Sequence, residues 1–166
     1  MAVVVVNAGH TKFGTGTGAN GYLNESTETR KLAYELMKLL ADSKHEVIPA
    51  VYDRSANNLK EAVTLANEKQ ADLFVSIHLN AGGGQGCEVY TWKGQQVPQA
   101  VKVCSYLKKL GFKNRGVKDG SHLYIIKNTK CTAILIEVCF VDSADAELYK
   151  KVGYSNIAKS IYSALN

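Results

Sequence analysis

The sequence predicts a single α/β domain, a twisted and mostly parallel sheet with helices on both faces. Three observations predict it. Strand-like apolar runs alternate with segments of helical period along the whole chain. The first run, Val3 to Val6, is uninterrupted and β-branched, which suits a strand buried on both faces. With 166 residues, 46% hydrophobic and 21% charged, the chain can fill one sizeable core and shows neither a disordered nor a fibrous composition.

The elements follow in order. From about Ser26 to Asp42 the apolar residues recur at helical spacing. Leu32, Leu36, Leu39 and Leu40 share one face, and Ser26 or Thr27 is placed to cap the start. Glu46 to Tyr52 reads as a strand. Asn57 opens a second helix, with Leu59, Ala62, Val63 and Ala66 in one stripe. Asp72 to His78 is a central strand, and the glycine-rich loop 82–86 follows it. Cys87 to Trp92 reads as a strand. Pro98 starts a third helix, which carries Val101, Cys104 and Leu107 inward and ends near Gly111. Residues 114–120 read as a polar loop. Leu123 to Ile126 and Ala133 to Val138 read as short strands, and from about Asp142 the chain is helical.

Several function classes fall away at this stage. The net charge is +5, but the lysines are scattered and no basic stripe is interleaved with aromatics. A solvated basic surface is expected, with no nucleic-acid partner. No apolar run approaches the roughly 20 residues that span a bilayer, so no membrane insertion is expected. The opening residues lack the basic n-region and long apolar stretch of a secretory leader. The expectation is a protein released from the cytosol at lysis, or one whose leader is absent. The cysteines at 87, 104, 131 and 139 show no Cys-x-x-Cys spacing, so buried free thiols are expected, with Cys131 beside Lys130 the one open to mild activation.

The chemistry lies where polar residues interrupt the apolar strands. Val3–Val6 runs out through Asn7, Ala8 and Gly9 into His10. Leu73–Ile77 ends at His78, and Ile134–Ile136 ends at Glu137. Sites in open α/β sheets gather at the carboxyl ends of strands, so parallel strands would bring these three together. Glu25 follows a glycine-rich loop and directly precedes the first helix, near its positive end. A lone His or Glu at a strand end is ordinarily a surface or hydrogen-bonded residue; the shared placement gives these four weight. His10, Glu25 and His78 form the His₂Glu ligand class of catalytic zinc with an open position for water. Glu137 is then free to move a proton in a hydrolysis.

These residues resemble a known family. Val5-Val6-Asn7-Ala8-Gly9-His10 is similar to the opening strand and first zinc ligand of the zinc-dependent N-acetylmuramoyl-L-alanine amidases of phage endolysins and bacterial autolysins. Glu25, within Gly21-Tyr22-Leu23-Asn24-Glu25, resembles the second ligand. Residues 71–81, through His78, resemble the third-ligand strand, and residues 133–140, through Glu137, the catalytic-glutamate strand. Asn114-Arg115-Gly116-Val117-Lys118 resembles a segment beside the site. The resemblance runs over nearly all of residues 1–166, read as one catalytic domain. It implies a six-stranded sheet, one Zn²⁺ per chain, and cleavage of the bond between N-acetylmuramic acid and L-alanine in bacterial peptidoglycan, outside the cytoplasm. A monomer is expected, either an isolated catalytic domain or one joined in a full-length protein to a wall-binding domain. Thr11, Ala8 and Cys139 depart from the family pattern, at positions that shape loops and not at the ligands.

Among residues beside the site, Arg115 and Lys118 are candidates for binding stem-peptide carboxylates, with Asn80 and Asn114 as further substrate contacts; a solvated loop is the competing account. Gly16-Thr17-Gly18-Ala19-Asn20-Gly21 spells a dinucleotide-type glycine pattern but does not directly follow its strand, so it reads as a loop bordering the metal. His45 reads as solvated and His122 as a surface residue. Ser76 reads as packing, since no His-Asp motif accompanies it. Another zinc peptidase or deacetylase acting on the wall, and a wall-binding module without turnover, remain alternatives at this point.

Overall fold

The protein is described by a computed structural model covering Met1–Asn166. Six strands form one sheet in the order β2-β1-β3-β6-β4-β5, where β1 is Val3–Ala8, β2 Glu46–Ala50, β3 Leu73–Asn80, β4 Cys87–Thr91, β5 Asn114–Asp119 and β6 Thr132–Phe140. All neighbours run parallel except β4 and β6, which are antiparallel. The carboxyl ends of β1, β3 and β6 therefore share an edge with the amino ends of β4 and β5.

Both faces are covered. On one lie α1 (Glu25–Asp42), α3 (Pro98–Lys109), α5 (Asp145–Val152) and α6 (Tyr154–Leu165). Alternate strand residues Val4, Val6, Val75, Ile77, Ile134 and Ile136 point into that larger core with Leu32, Leu36 and Ile161. On the other lie α2 (Asn58–Glu68) and α4 (Tyr124–Asn128), over Val5, Phe74, Ala133 and Leu135. Valine at three consecutive buried positions in β1 thus serves both cores. No helix is long and apolar enough to cross a membrane.

Four local details differ from the sequence expectation. The cap of α1 is Asn24, whose side chain accepts from the Thr27 amide at 2.9 Å, so Ser26 and Thr27 lie inside the helix. Residues 114–119 are not a loop but the edge strand β5, polar because one of its sides is open to solvent. Residues 124–128 are a short helix, not a strand; the Ile125-Ile126 pair packs down onto the smaller core. On α3 the inward stripe is Ala100, Val103, Cys104 and Leu107, whereas Val101 flanks it and is exposed.

Candidate metal centre

The site is built at the shared edge of the sheet. As the chain leaves β1, the Gly9 amide donates to the Ile77 carbonyl at 2.8 Å, carrying the β1–β3 pairing one residue further. His10 then adopts φ 65°, a left-handed conformation uncommon outside glycine. Its Nδ1 stands 3.2 Å from the Gly16 carbonyl; Nδ1–H donating there leaves the Nε2 lone pair free. Nε2 is 3.2 Å from Glu25 Oε1. His78, near the end of β3, brings Nδ1 to 3.2 Å from that same oxygen. Glu25 is buried at the first position of α1 and is itself fixed, with Oε2 accepting from the Ala19 amide at 2.8 Å and Oε1 from the Leu79 amide at 3.0 Å. One ligand atom from each of His10, Glu25 and His78 lies within 4.8 Å of the others, a group able to hold a metal ion.

The surroundings leave these side chains little freedom. A Cβ on Gly9 would stand 2.5 Å from His78 Cε1, and one on Gly18 would stand 2.6 Å from Glu25 Oε2 and 2.8 Å from His10 Cδ2. Arg30, a buried α1 residue that the sequence did not single out, ties the His10 turn down. Its Nη2 donates to the carbonyls of His10 (3.3 Å) and Tyr52 (2.8 Å), Nη1 to Ser26 O (2.8 Å), and Nε to Asp53 (3.1 Å). Thr29 Oγ1 donates to Gly9 O at 3.1 Å. Beneath His78 on the same face, Ser76 donates to Asn7 Oδ1 at 2.7 Å, and Asn7 donates to Ala50 O at 2.7 Å. Ser76 is thus a structural hydroxyl.

Glu137 lies on β6 in register with His78 on β3. Its Oε2 and the His78 Nε2 are both buried with no hydrogen-bond partner. Such an orphan costs about 1–3 kcal/mol, so two on adjacent strands mark a place shaped for something else to occupy. Burial, reinforced by the charges of Glu25 and Glu88, pushes the Glu137 carboxyl up to about 8. Burial also works to raise Glu25, but hydrogen bonds from His10 and His78 outweigh it and hold that carboxyl well below its ordinary value. The Glu25 hydrogen bond in turn raises His10. The same set of side chains therefore holds one carboxylate firmly ionised and a second poised to exchange a proton near neutrality.

On the far side of Glu137 stands another residue the sequence did not flag. Glu88, buried on β4, is paired across the antiparallel register with Glu137. It accepts from Arg115 Nε at 2.7 Å, Tyr90 OH at 2.9 Å and Asn80 Nδ2 at 3.0 Å. Asn80 and Arg115 thus flank Glu88 at the edge of the sheet. Asn114 begins β5, its Oδ1 accepting from the Gly116 amide at 2.8 Å. Lys118 lies further down the sheet, level with Tyr90 and Leu135. A cleft of about 340 Å³ opens beside His10 and His78, walled by Leu59, Leu123, Tyr124 and Leu135.

The glycine pattern 16–21 borders this site through the Gly16 carbonyl, Gly18 and the Ala19 amide. His45 is half-buried, with Nε2 3.2 Å from Asn166 Oδ1, whereas His122 is exposed beside the Tyr90 ring. All four cysteines are free, and Cys87, Cys104 and Cys139 are buried. A register shift between His78 and Asn80 lets Val138 and Cys139 both face the larger core.

Comparison with known proteins places this geometry. The profile of the N-acetylmuramoyl-L-alanine amidase family matches residues 4–166. The chain is 32% identical over 162 residues to the N-acetylmuramoyl-L-alanine amidase CwlM of Bacillus licheniformis, covering 93% of this chain and 63% of that protein. It is 32% identical over 166 residues to the endolysin of Bacillus phage SPP1, covering 93% and 60%. The chain thus spans between about half and two thirds of the length of these curated relatives. Among solved structures, the catalytic domain of the CD27L endolysin targeting Clostridia Difficile superposes with a TM-score of 0.89 at 30% identity, covering 99% of this chain and 97% of that one. The catalytic domain of CwlV, an N-acetylmuramoyl-L-alanine amidase from Bacillus (Paenibacillus) polymyxa var. colistinus, gives 0.86 at 28% identity, covering 99% and 96%.

Proposed function

The chain belongs to the N-acetylmuramoyl-L-alanine amidase family, and from that premise we propose that it hydrolyses the amide between N-acetylmuramic acid and the L-alanine of the stem peptide in bacterial peptidoglycan, outside the cytoplasm. Residues 1–166 act as its zinc-dependent catalytic domain. The observation that carries the reading is the convergence of His10, Glu25 and His78 beside Glu137.

Zinc suits the three side chains on their chemistry and spacing. Two imidazoles and one carboxylate, with no cysteine among them, are the donor set of catalytic and not structural zinc. The 3.2 Å separations of the two imidazole nitrogens from Glu25 Oε1 are close to the roughly 3.3 Å edge of a tetrahedron with ligands about 2.0–2.1 Å from its centre, and all three ligand atoms lie within 4.8 Å of one another. A bound zinc ion supplies Lewis acidity to the attacking water and to the scissile carbonyl. His10, Glu25 and His78 hold the three positions, and the Gly16 carbonyl, the Ala19 amide and the Leu79 amide orient them. Glu137, half-buried next to His78, takes the proton of the attacking water and returns it to the leaving alanine nitrogen. Asn80 at the end of β3, and Asn114, Arg115 and Lys118 on β5, contact the stem peptide.

The test is product chemistry on purified walls. The zinc-loaded protein should release new L-alanine amino termini while leaving glycan strands and cross-links whole, with about one zinc per chain. Released acetate, or cut cross-bridges without new L-alanine termini, would instead point to a deacetylase or a peptidase. Binding to walls without any clearing would point to a non-catalytic module.

A further inference from the structure

Arg115 is held in a way that a solvated surface arginine is not. Its Nε donates to Glu88, a carboxylate only 3% exposed, at 2.7 Å. Its guanidinium carbon stands 5.1 Å from the centroid of the Phe140 ring. A hydrogen bond at one edge and an aromatic ring across one face fix the plane of the group. Its two terminal amino groups donate to no protein atom, and the side chain is 35% exposed. Tyr90 and Asn80 hold Glu88 from its other oxygen, so the anchor is itself braced.

We infer that Arg115, oriented by Glu88 and Phe140, forms a carboxylate-binding subsite that reads the first free acid of the stem peptide and so prefers substrates carrying a carboxylate there over those carrying a carboxamide. This rests on the amidase reading above. A planar guanidinium with two free N–H groups is shaped for bidentate capture of a carboxylate, which a carboxamide cannot reproduce. The spacing selects which acid. The strand β5 lies two inter-strand steps from Glu137, about 9.5 Å, and the Arg115 side chain reaches back from it toward β4. In a stem whose second residue is a glutamate linked through its side chain, the α-carboxylate of that residue is free. Two residues of extended chain put that group about 7 Å from the scissile nitrogen. Any later acid lies at least one residue further out. Glu88 is a positioning residue here, since it acts through Arg115.

Two muramoyl peptides that differ only in a carboxylate or a carboxamide on the second residue test the inference, with the zinc-loaded full chain and its variants. The wild type should cleave the carboxylate form with a kcat/KM about tenfold or more higher. Arg115→Ala should abolish that preference, chiefly through KM on the carboxylate form, and Arg115→Lys should restore only part of it. Glu88→Gln should weaken the preference while the rate on the carboxamide form changes less. Should either single variant misfold by circular dichroism, the double variant Glu88→Gln/Arg115→Ala, which removes both charges, must show the same loss. Equal cleavage of the two forms by the wild type, or an undiminished preference in Arg115→Ala, overturns the inference and leaves the amidase intact. If the folded, zinc-loaded wild type cuts neither peptide, the amidase reading itself fails.

Discussion

Gly9 runs directly under the imidazole of His78, with all three ring atoms nearest to it within 2.7 Å of where a methyl group would project. The ring occupies the volume that any side chain at position 9 would need. Gly9→Ala should therefore rotate or displace His78 and lower zinc affinity by tenfold or more, on the order of the effect of losing a ligand-orienting contact. Competition with a chelating dye measures this directly. An alanine variant that holds zinc as tightly as the wild type would mean the ring can yield without cost.

Glu137→Gln keeps the shape of the side chain but cannot accept a proton. Zinc content should stay at about one per chain, while kcat falls by roughly 10²–10⁴-fold, the usual range for a general base. Wall clearing at an undiminished rate would remove Glu137 from the reaction.

The same carboxyl gives a stability signature in metal-free protein. Burial holds it at about 8 where an unfolded chain would have about 4.5. Between those values the folded protein keeps a proton that the unfolded chain releases, so stability falls as pH rises. Glu137→Gln should flatten that decline, gaining on the order of 2–4 kcal/mol over the wild type by pH 8. Urea titrations across that range decide it; parallel curves for the two proteins would show that burial costs this carboxyl nothing.

Acid should expel the metal early. The Glu25 hydrogen bond raises His10 above the ordinary imidazole value of 6.5, so protons compete for its nitrogen at a higher pH than for a free histidine. The protection that zinc gives against heat, about 5–10 °C at a hundredfold excess over Kd for a chain this size, should fade as pH falls toward 6. Melting curves with and without chelator, repeated at several pH values, track the loss.

Arg30→Met leaves the His10 and Tyr52 carbonyls without their side-chain donor, while Ser26 O keeps that of Thr29. A loss of about 2–3 kcal/mol is expected, together with weaker zinc binding, because His10 would no longer be held at its left-handed φ. Denaturant unfolding and zinc titration together separate this from a purely global effect: a variant less stable but equal in metal affinity would show that Arg30 serves the fold alone.

Much of the fold and the four central residues was legible because they follow from period and placement. A histidine or glutamate ending a β-branched run stands out against apolar neighbours, as His78 and Glu137 do. Arg30 and Glu88 did not stand out. Arg30 occupies a helix whose other faces are also charged, and Glu88 alternates with apolar residues as any surface strand residue would. Only the tertiary fold turns those positions inward. The edge strand 114–119 was hidden by its polarity, which comes from one-sided pairing. The helix at 124–128 was hidden by Ile125 and Ile126, β-branched residues whose local preference yields to packing on Leu135 and Phe74.

The order of the strands has one further consequence, for synthesis. The ribosome makes β2, β1 and β3 as one ready half and β4 with β5 as another, yet β6, the last strand to emerge, is the one that sits between them. Until it threads into that gap, the halves share no ladder, and Glu137 is missing from beside His78. Closing the sheet and completing the candidate site are therefore a single event, and under the proposed function an unfinished chain would lack its base.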